Sequence, residues 1–308
     1  MINDNNKVYI VGLGALGSMY AAKLYDIFPA GIKIIADENR VKAFQQTGIT
    51  VNGKPYFFDF ILPSDKQPPA DLIIIAVKNI HLQQAIQDIR GFIGEDTIVI
   101  SLLNGILSEE QIGQAIGTHH LLYAYGVGMD ALRKDNTTTY TNPGKIVFGE
   151  KQNTVLSDRV KAVKDLFERA QIPYQIPEDM NRALWSKFMM NTGINQASAV
   201  LRAPYGVFQQ NEEARKLMLM AAEEVMALSQ KCDINLNQAD IDNFMQIIYT
   251  LHPSGKTSML QDMEAGRKTE ADIFAGTVIE LGKKYNVPTP VNETLYCIIQ
   301  VTEQTALI

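Results

Sequence analysis

KVYIVGLGALGSMYAAKLY, residues 7–25, reads as a strand, a tight turn and a helix. Val8, Tyr9, Ile10 and Val11 are a short apolar run rich in strand-forming residues. Gly12, Gly14 and Gly17 follow in the spacing G-x-G-x-x-G. Ala15, Leu16, Met19, Ala22 and Leu24 then continue with helical propensity and an apolar face. Each glycine has a task in a turn that binds a dinucleotide. Gly12 allows the tight turn, Gly14 leaves the backbone open to a pyrophosphate, and Gly17 lets the helix sit close to its strand. The helix N-terminus then offers N–H groups and partial positive charge to phosphates. Ile32–Ala36 makes a second apolar strand ending at Asp37, about 20 residues past the glycines, where a ribose-binding acid belongs. The plain alternative is an α/β turn whose glycines serve packing alone.

The rest of the chain suits that start. At 308 residues, two domains are expected. A chain 46% hydrophobic and 20% charged can bury a full core. Its formal net charge of −6 argues against broad nucleic-acid binding, which needs a basic footprint. Cys232 and Cys297 are too few for a disulfide framework. The polar start, Met1-Ile-Asn-Asp-Asn-Asn6, lacks the apolar centre of a signal peptide, and no apolar run is long enough to span a bilayer. A cytoplasmic protein without membrane partners is the expectation.

Further along, a helix is expected over Arg40–Gln46, ending at Gly48. Asn52-Gly53 signals a hairpin. The unbroken apolar run Asp71–Val77 predicts a strand buried on both faces. A helix over Leu82–Ile89, a strand over Thr97–Leu102 and a strand over Leu121–Ala124 follow. Ser108-Glu-Glu-Gln111 has the form of a capping box. Asn142-Pro-Gly144 suggests a hairpin joining Thr138–Thr141 to Lys145–Gly149. Val160, Val163, Phe167 and Ala170 share a helical face, and Pro173–Ile176 is a last short strand. Alternating strands and helices imply an α/β fold, a Rossmann-type doubly wound parallel sheet over residues 1–177. From residue 178 to 308 the pattern is helical throughout, near 179–201, 212–230, 238–250, 256–265, 270–285 and 292–304. An all-helical second domain is expected, with the boundary near Pro177.

Within the first helix of that domain, Lys187, Asn191 and Asn195 are four apart and project from roughly one face. Their neighbours Trp185, Phe188, Met189, Met190 and Ile194 are bulky and apolar. One cation and two amides in such a row can bind a carboxylate and polarise a carbonyl; the alternative is a solvated polar face. Ser258-Met-Leu-Gln-Asp262 and Gly266-Arg-Lys-Thr-Glu270 form a second constellation, which read alone is as well explained by caps and surface charge. Lys78 and Asn104 stand just after two central strands, where open α/β sheets place their ligands. Ser254-Gly-Lys-Thr257 lacks the upstream glycine and strand of a phosphate-binding loop. His81, His119, His120 and His252 have no metal-ligand spacing, so no metal is expected and these side chains read as surface or structural.

Taken together, these motifs resemble the ketopantoate reductases (2-dehydropantoate 2-reductases) over nearly the whole chain. The resemblance rests on Gly12-Leu-Gly-Ala-Leu-Gly17, Val77-Lys78, Asn104-Gly105, Lys187 with Asn191 and Asn195, Ser258-Met-Leu-Gln-Asp262 and Thr269-Glu270. It implies a Rossmann domain followed by a helical domain, with the active site in the cleft, and hydride transfer from NADPH to the ketone of ketopantoate, giving D-pantoate for coenzyme A synthesis. By that likeness Lys187 is the general acid. Asn191, Asn195 and Ser258 hold the substrate, Glu270 binds its hydroxyl, and Asn104 lies near nicotinamide and substrate. Gly12, Leu13, Gly14, Ala15, Leu16 and Gly17 form the cofactor turn, with Lys78 near the cofactor.

One position departs from the family pattern. Many NADPH-using relatives have arginine where this chain has Asp37. An acid there favours the free 2′-hydroxyl of NADH, and Arg40, one turn on, is the residue able to pair with a 2′-phosphate. NADP(H) is the expected cofactor through Arg40, with NAD(H) the alternative through Asp37. Two other readings stand beside the reductase: an NADH-dependent D-2-hydroxyacid dehydrogenase for branched 2-oxo acids, and a non-catalytic dinucleotide-binding regulator. A small-molecule 2-oxo acid is the expected partner, and the chain is expected to be a monomer or homodimer.

Overall fold

The computed structural model describes residues 7–305; the polar segment Met1–Asn6 lies outside them. The chain divides into two compact units, Met1–Met180 and Asn181–Ile308. In the first unit the elements run β1 (Val8–Val11), α1 (Ala15–Tyr25), β2 (Ile32–Ile35), α2 (Glu38–Thr47), β3 (Ile49–Val51), β4 (Lys54–Tyr56), β5 (Asp59–Ile61), β6 (Leu72–Ile75) and α3 (Leu82–Ile89). They continue with β7 (Ile98–Ser101), α4 (Ser108–Ile116), β8 (Leu121–Met129), β9 (Leu132–Lys134), β10 (Thr137–Thr139), β11 (Pro143–Gly149), α5 (Asp158–Arg169) and β12 (Tyr174–Gln175).

Strand periodicity explains the layers. Successive side chains of a strand point to opposite faces. In β1, Val8 and Ile10 enter the core beneath α1 and α5, while Tyr9 and Val11 enter the core beneath α3 and α4. β6 repeats this with Leu72 and Ile74 on one side and Ile73 and Ile75 on the other. Such strands must be apolar at every position, and all four residues of each are buried. The sheet order is β12-β11-β8-β7-β6-β1-β2-β5. β1 pairs in parallel with both β2 and β6. The chain therefore leaves β1 in one direction and later returns on its other side. That reversal puts a crevice at the carboxyl ends of β1 and β6.

The structure corrects several expectations. The sheet is mixed, because β11 runs antiparallel to β8. Thr138–Thr141 and Lys145–Gly149 do not form a hairpin: β11 pairs with β8 and β12, whereas β10 joins β3 and β9 in a separate small sheet. Asp130 redirects the chain there, its carboxylate accepting from the N–H groups of Thr141 and Asn142. The capping box at Ser108 is also absent. Leu107 is the N-cap of α4, and the buried Ser108 hydroxyl donates to its neighbour Glu109 at 2.9 Å. Asn52-Gly53 does make its hairpin, between β3 and β4, with both residues at positive φ.

The second unit is helical among its described residues: α6 (Met180–Leu201), which begins at the boundary, α7 (Tyr205–Gln210), α8 (Glu212–Lys231), α9 (Gln238–Thr250), α10 (Ser258–Glu264), α11 (Ala275–Tyr285) and α12 (Pro290–Thr305). α7 was not expected. No helix among the described residues is long and apolar enough to cross a membrane. α6 is buried all round from Thr192 to Ala199, so it is a core helix rather than an amphipathic one. Gly193 lets α8 approach: an added Cβ would lie 2.8 Å from the Met218 carbonyl oxygen.

Polar groups lock α6, α8 and α12 together. The Gln196 amide donates to Thr192 O and to Asn292 Oδ1. Asn292 donates to the Ala221 carbonyl and to Glu224 Oε2. The Glu224 carboxylate also accepts from the N–H groups of Val291 and Asn292, the first turn of α12. A carboxylate there satisfies orphan donors and suits the helix dipole. Glu224→Ala is therefore expected to destabilise the second unit by about 2 kcal/mol, lowering its melting temperature by roughly 5 °C. Thermal unfolding followed by circular dichroism measures this, and an unchanged melting temperature would remove the network from the account of stability.

Candidate functional site

The glycine turn is built by two close backbone approaches. Gly12 has φ +94°, and a Cβ there would lie 2.6 Å from the Ala76 carbonyl oxygen, in the segment following β6. A Cβ on Gly17 would lie 1.9 Å from the Gly12 carbonyl oxygen. Gly14 differs from both: a Cβ there meets nothing within 4 Å. Gly12 and Gly17 are thus required by packing, whereas Gly14 faces open space. Gly14 is also the N-cap of α1, with no side chain capping the helix. Leu13 is buried, while Ala15 and Leu16 are half-buried. A backbone that a pyrophosphate can approach, at an uncapped helix start, fits a dinucleotide.

Asp37, Arg40, Lys78 and Asn104 follow β2, β6 and β7 at the same carboxyl end of the sheet. A pocket of about 300 Å³ opens there, lined by Val11, Ile35, Ala36, Asp37, Arg40, Val77, His81, Gln84, Ala85 and Asp88. It brings Asp37 and Arg40 together; Lys78 and Asn104 are not among its walls. Asp37 is the N-cap of α2, its Oδ1 accepting from the N–H groups of Asn39 and Arg40, each at 3.0 Å. Its Oδ2 lies 3.4 Å from Arg40 Nε. Opposite, the Gln84 amide donates to Asp88 Oδ1 at 2.8 Å.

Sequence reasoning missed one wall of this pocket. His81, Gln84 and Asp88 recur at helical spacing directly after β6, and that period was the available signal. His81 is exposed, as expected, and lines the pocket as well. His120 is structural as expected: it is buried, with Nδ1 2.9 Å from the Thr97 carbonyl oxygen. Among the described residues no cluster suits a metal ion.

In the second unit, Lys187 and Asn191 are half-buried and Asn195 is buried, all on α6. Ser258 is exposed at the start of α10, where Thr257 is the N-cap. Asp262 is buried and pairs with Arg267 Nε at 2.7 Å, so this carboxylate serves the structure of the segment. Glu270 is half-buried at the start of the short helical turn Ala271–Ile273. That turn is tied to α12: Tyr296 donates to Asp272 Oδ1, and the Thr269 N–H donates to Glu303 Oε1. The hydrogen bond to the Asp272 carboxylate, with burial, pushes the Tyr296 hydroxyl up to about 12. It stays protonated, and so remains a donor, across the neutral range.

Comparison with known proteins follows the same division of the chain. Residues 8–153 match the family model described as ketopantoate reductase PanE/ApbA. Residues 179–303 match the model for ketopantoate reductase PanE/ApbA C terminal. The 2-dehydropantoate 2-reductase of Aquifex aeolicus (strain VF5) is 24% identical over 302 residues, spanning 96% of this chain and 97% of that protein. The fold is shared with a dimeric ketopantoate reductase from Staphylococcus aureus, at TM-score 0.81 and 22% identity over 97% of this chain and 99% of that one. It is shared also with D-mandelate dehydrogenase solved with NADH and anilino(oxo)acetate, at TM-score 0.87 and 22% identity over 98% of this chain and 100% of that one.

The glycines separate packing from binding. Gly17→Ala forces a Cβ onto a backbone carbonyl and is expected to cost about 3 kcal/mol or more. Gly14→Ala is expected to leave the melting temperature unchanged while weakening binding of ADP-ribose. Paired thermal-shift and calorimetric titrations check both; undiminished binding by Gly14→Ala would show that the turn is not where the pyrophosphate lies.

Proposed function

The chain belongs to the ketopantoate reductase family of dinucleotide-dependent oxidoreductases, and from that premise we propose that it reduces 2-dehydropantoate to D-pantoate. The observation that carries the reading is the row Lys187–Asn191–Asn195 on α6, a lysine and two amides at four-residue spacing on a largely buried helix. The Aquifex aeolicus relative, named 2-dehydropantoate 2-reductase, supports the substrate. The neighbour holding NADH and anilino(oxo)acetate keeps a second reading in play, a D-2-hydroxyacid dehydrogenase for a different 2-oxo acid.

The chemistry divides between the two units. A bound nicotinamide supplies the hydride, and the residues of the chain supply position and field. The turn Gly12–Gly17 and the α1 N-terminus hold the pyrophosphate, with Lys78 beside the cofactor and Asn104 near the reacting end. Lys187 donates its ammonium proton to the ketone oxygen, and its charge stabilises the negative charge that builds there. Asn191, Asn195 and Ser258 hold the substrate so that its carbonyl is presented in one orientation. Glu270 accepts a hydrogen bond from the terminal hydroxyl of ketopantoate. A non-catalytic regulator needs neither a proton donor nor such an acceptor.

Lys187→Ala is expected to lower kcat by about 10²–10⁴-fold, the usual range for a general acid. Nucleotide affinity should hold, because the proposed cofactor residues all belong to the first unit. Steady-state kinetics from nicotinamide absorbance, with nucleotide binding measured separately, test this; a near-normal kcat would falsify the assignment. Glu270→Ala is expected to impair turnover of ketopantoate far more than that of a 2-oxo acid without the hydroxyl. Equal loss on a panel of branched and aromatic 2-oxo acids would give Glu270 another role and favour the second reading.

A further inference from the structure

We propose that the pocket beside β2 selects NADH over NADPH, and that Asp37 is the selecting residue. This rests on the reading of the chain as a dinucleotide-dependent oxidoreductase and goes beyond it by assigning the coenzyme.

A 2′-phosphate at this position needs two things from the protein. It needs hydrogen-bond donors, which a helix N-terminus provides, and it needs a cation. Here the chain supplies its own anion to both. Asp37 Oδ1 already accepts from the N–H groups of Asn39 and Arg40, the donors that the start of α2 would offer to a phosphate. Asp37 Oδ2 lies 3.4 Å from Arg40 Nε, so the guanidinium already faces a carboxylate of its own chain. The expected role of Arg40 as the phosphate's partner is thus answered from within the chain.

Charge around the pocket points the same way. Its walls carry Asp37 and Asp88 against Arg40, with His81 the remaining titratable group. Counting His81 as neutral, two carboxylates face one guanidinium. Glu38, in the first turn of α2, is paired with Lys42 at 3.7 Å and adds no net charge. A phosphate monoester carries about −1.5 to −2 at neutral pH, so it would enter a field of its own sign. A free ribose 2′-hydroxyl is a donor, and a carboxylate held still by two backbone N–H groups is the acceptor it requires. The cap that begins α2 therefore sets the position of the recognising oxygen.

The test is calorimetric titration of the full chain, without any 2-oxo acid, using NADH, NADPH, 5′-AMP and adenosine 2′,5′-bisphosphate. The wild-type chain should bind NADH about 10–100-fold more tightly than NADPH, the range expected for one charged hydrogen bond gained or lost. Asp37→Ser keeps an N-cap oxygen for α2 but removes the charge. It should weaken NADH, strengthen NADPH and reverse the order of the two adenosine fragments. Adding Arg40→Ala to Asp37→Ser should abolish the gained NADPH affinity. Wild-type preference for NADPH, or an unchanged ratio in a folded Asp37→Ser variant, overturns the inference and leaves the reductase reading intact. Binding of neither coenzyme overturns both. Selective NADH binding without turnover of any 2-oxo acid upholds the inference while removing the proposed activity.

Discussion

The contact between Gly17 and the Gly12 carbonyl oxygen is the constraint on which the first unit depends. Replacing the hydrogen of Gly17 by a methyl would place carbon 1.9 Å from that oxygen. Gly12 is in turn pressed against the carbonyl of Ala76, beyond β6. These approaches let the chain leave β1, turn within a few residues and lay α1 back over the sheet. They also fix where the helix N-terminus points. Because β1 has parallel neighbours on both sides, the turn stands at the reversal of strand order, the place where an open α/β sheet has a crevice. Packing and ligand placement at this point are one geometric fact, and only Gly14 is left over from the packing.

How much of this was legible follows from the range of each signal. β1, β6 and α3 were readable because their periodicity is local: continuous apolar runs for strands buried on both faces, and a helical repeat for Leu82, Ala85, Ile86 and Ile89. The segment 132–149 was not readable in the same way. Its turn residues are genuine, yet what pairs with what is decided by distant strands, β3 for β10 and β8 for β11. Ser108 shows a different failure. The S-x-x-Q spacing is present, but the serine is buried and its helix starts one residue earlier. A spacing motif describes which residues are able to cap, and burial decides whether they do.

The candidate site was legible to a different degree in each unit. The glycines, Asp37, Lys78 and Asn104 follow strand ends, so placing the strands placed them. His81, Gln84 and Asp88 are less legible, because the helical period that aligns them along the pocket wall points to no particular chemistry by itself. Asp37 was read as a ribose ligand, and the structure shows it as the cap of α2 as well. The two roles support each other. A capped carboxylate has little freedom to lose on binding, which would serve the proposed ribose hydrogen bond.

Helix α6 poses the remaining question of why polar residues stand on a core helix. Gln196 has a structural answer, since its amide joins Thr192 and Asn292 in the network that ends at Glu224. Gly193 has another, the close approach of α8. Lys187, Asn191 and Asn195 recur every four residues, and Asn191 and Asn195 each lie about 200° around the helix axis from Gly193, on the opposite side from the α8 contact. A helix stabilised by packing alone would carry apolar side chains along that row, because burying amides and an ammonium opposes folding unless they are well satisfied. The packing residues Phe188, Met189 and Ile194 already supply the apolar contacts around it. In the proposed function that row is where a small anionic molecule with a carbonyl would be held, on the side of α6 turned away from α8.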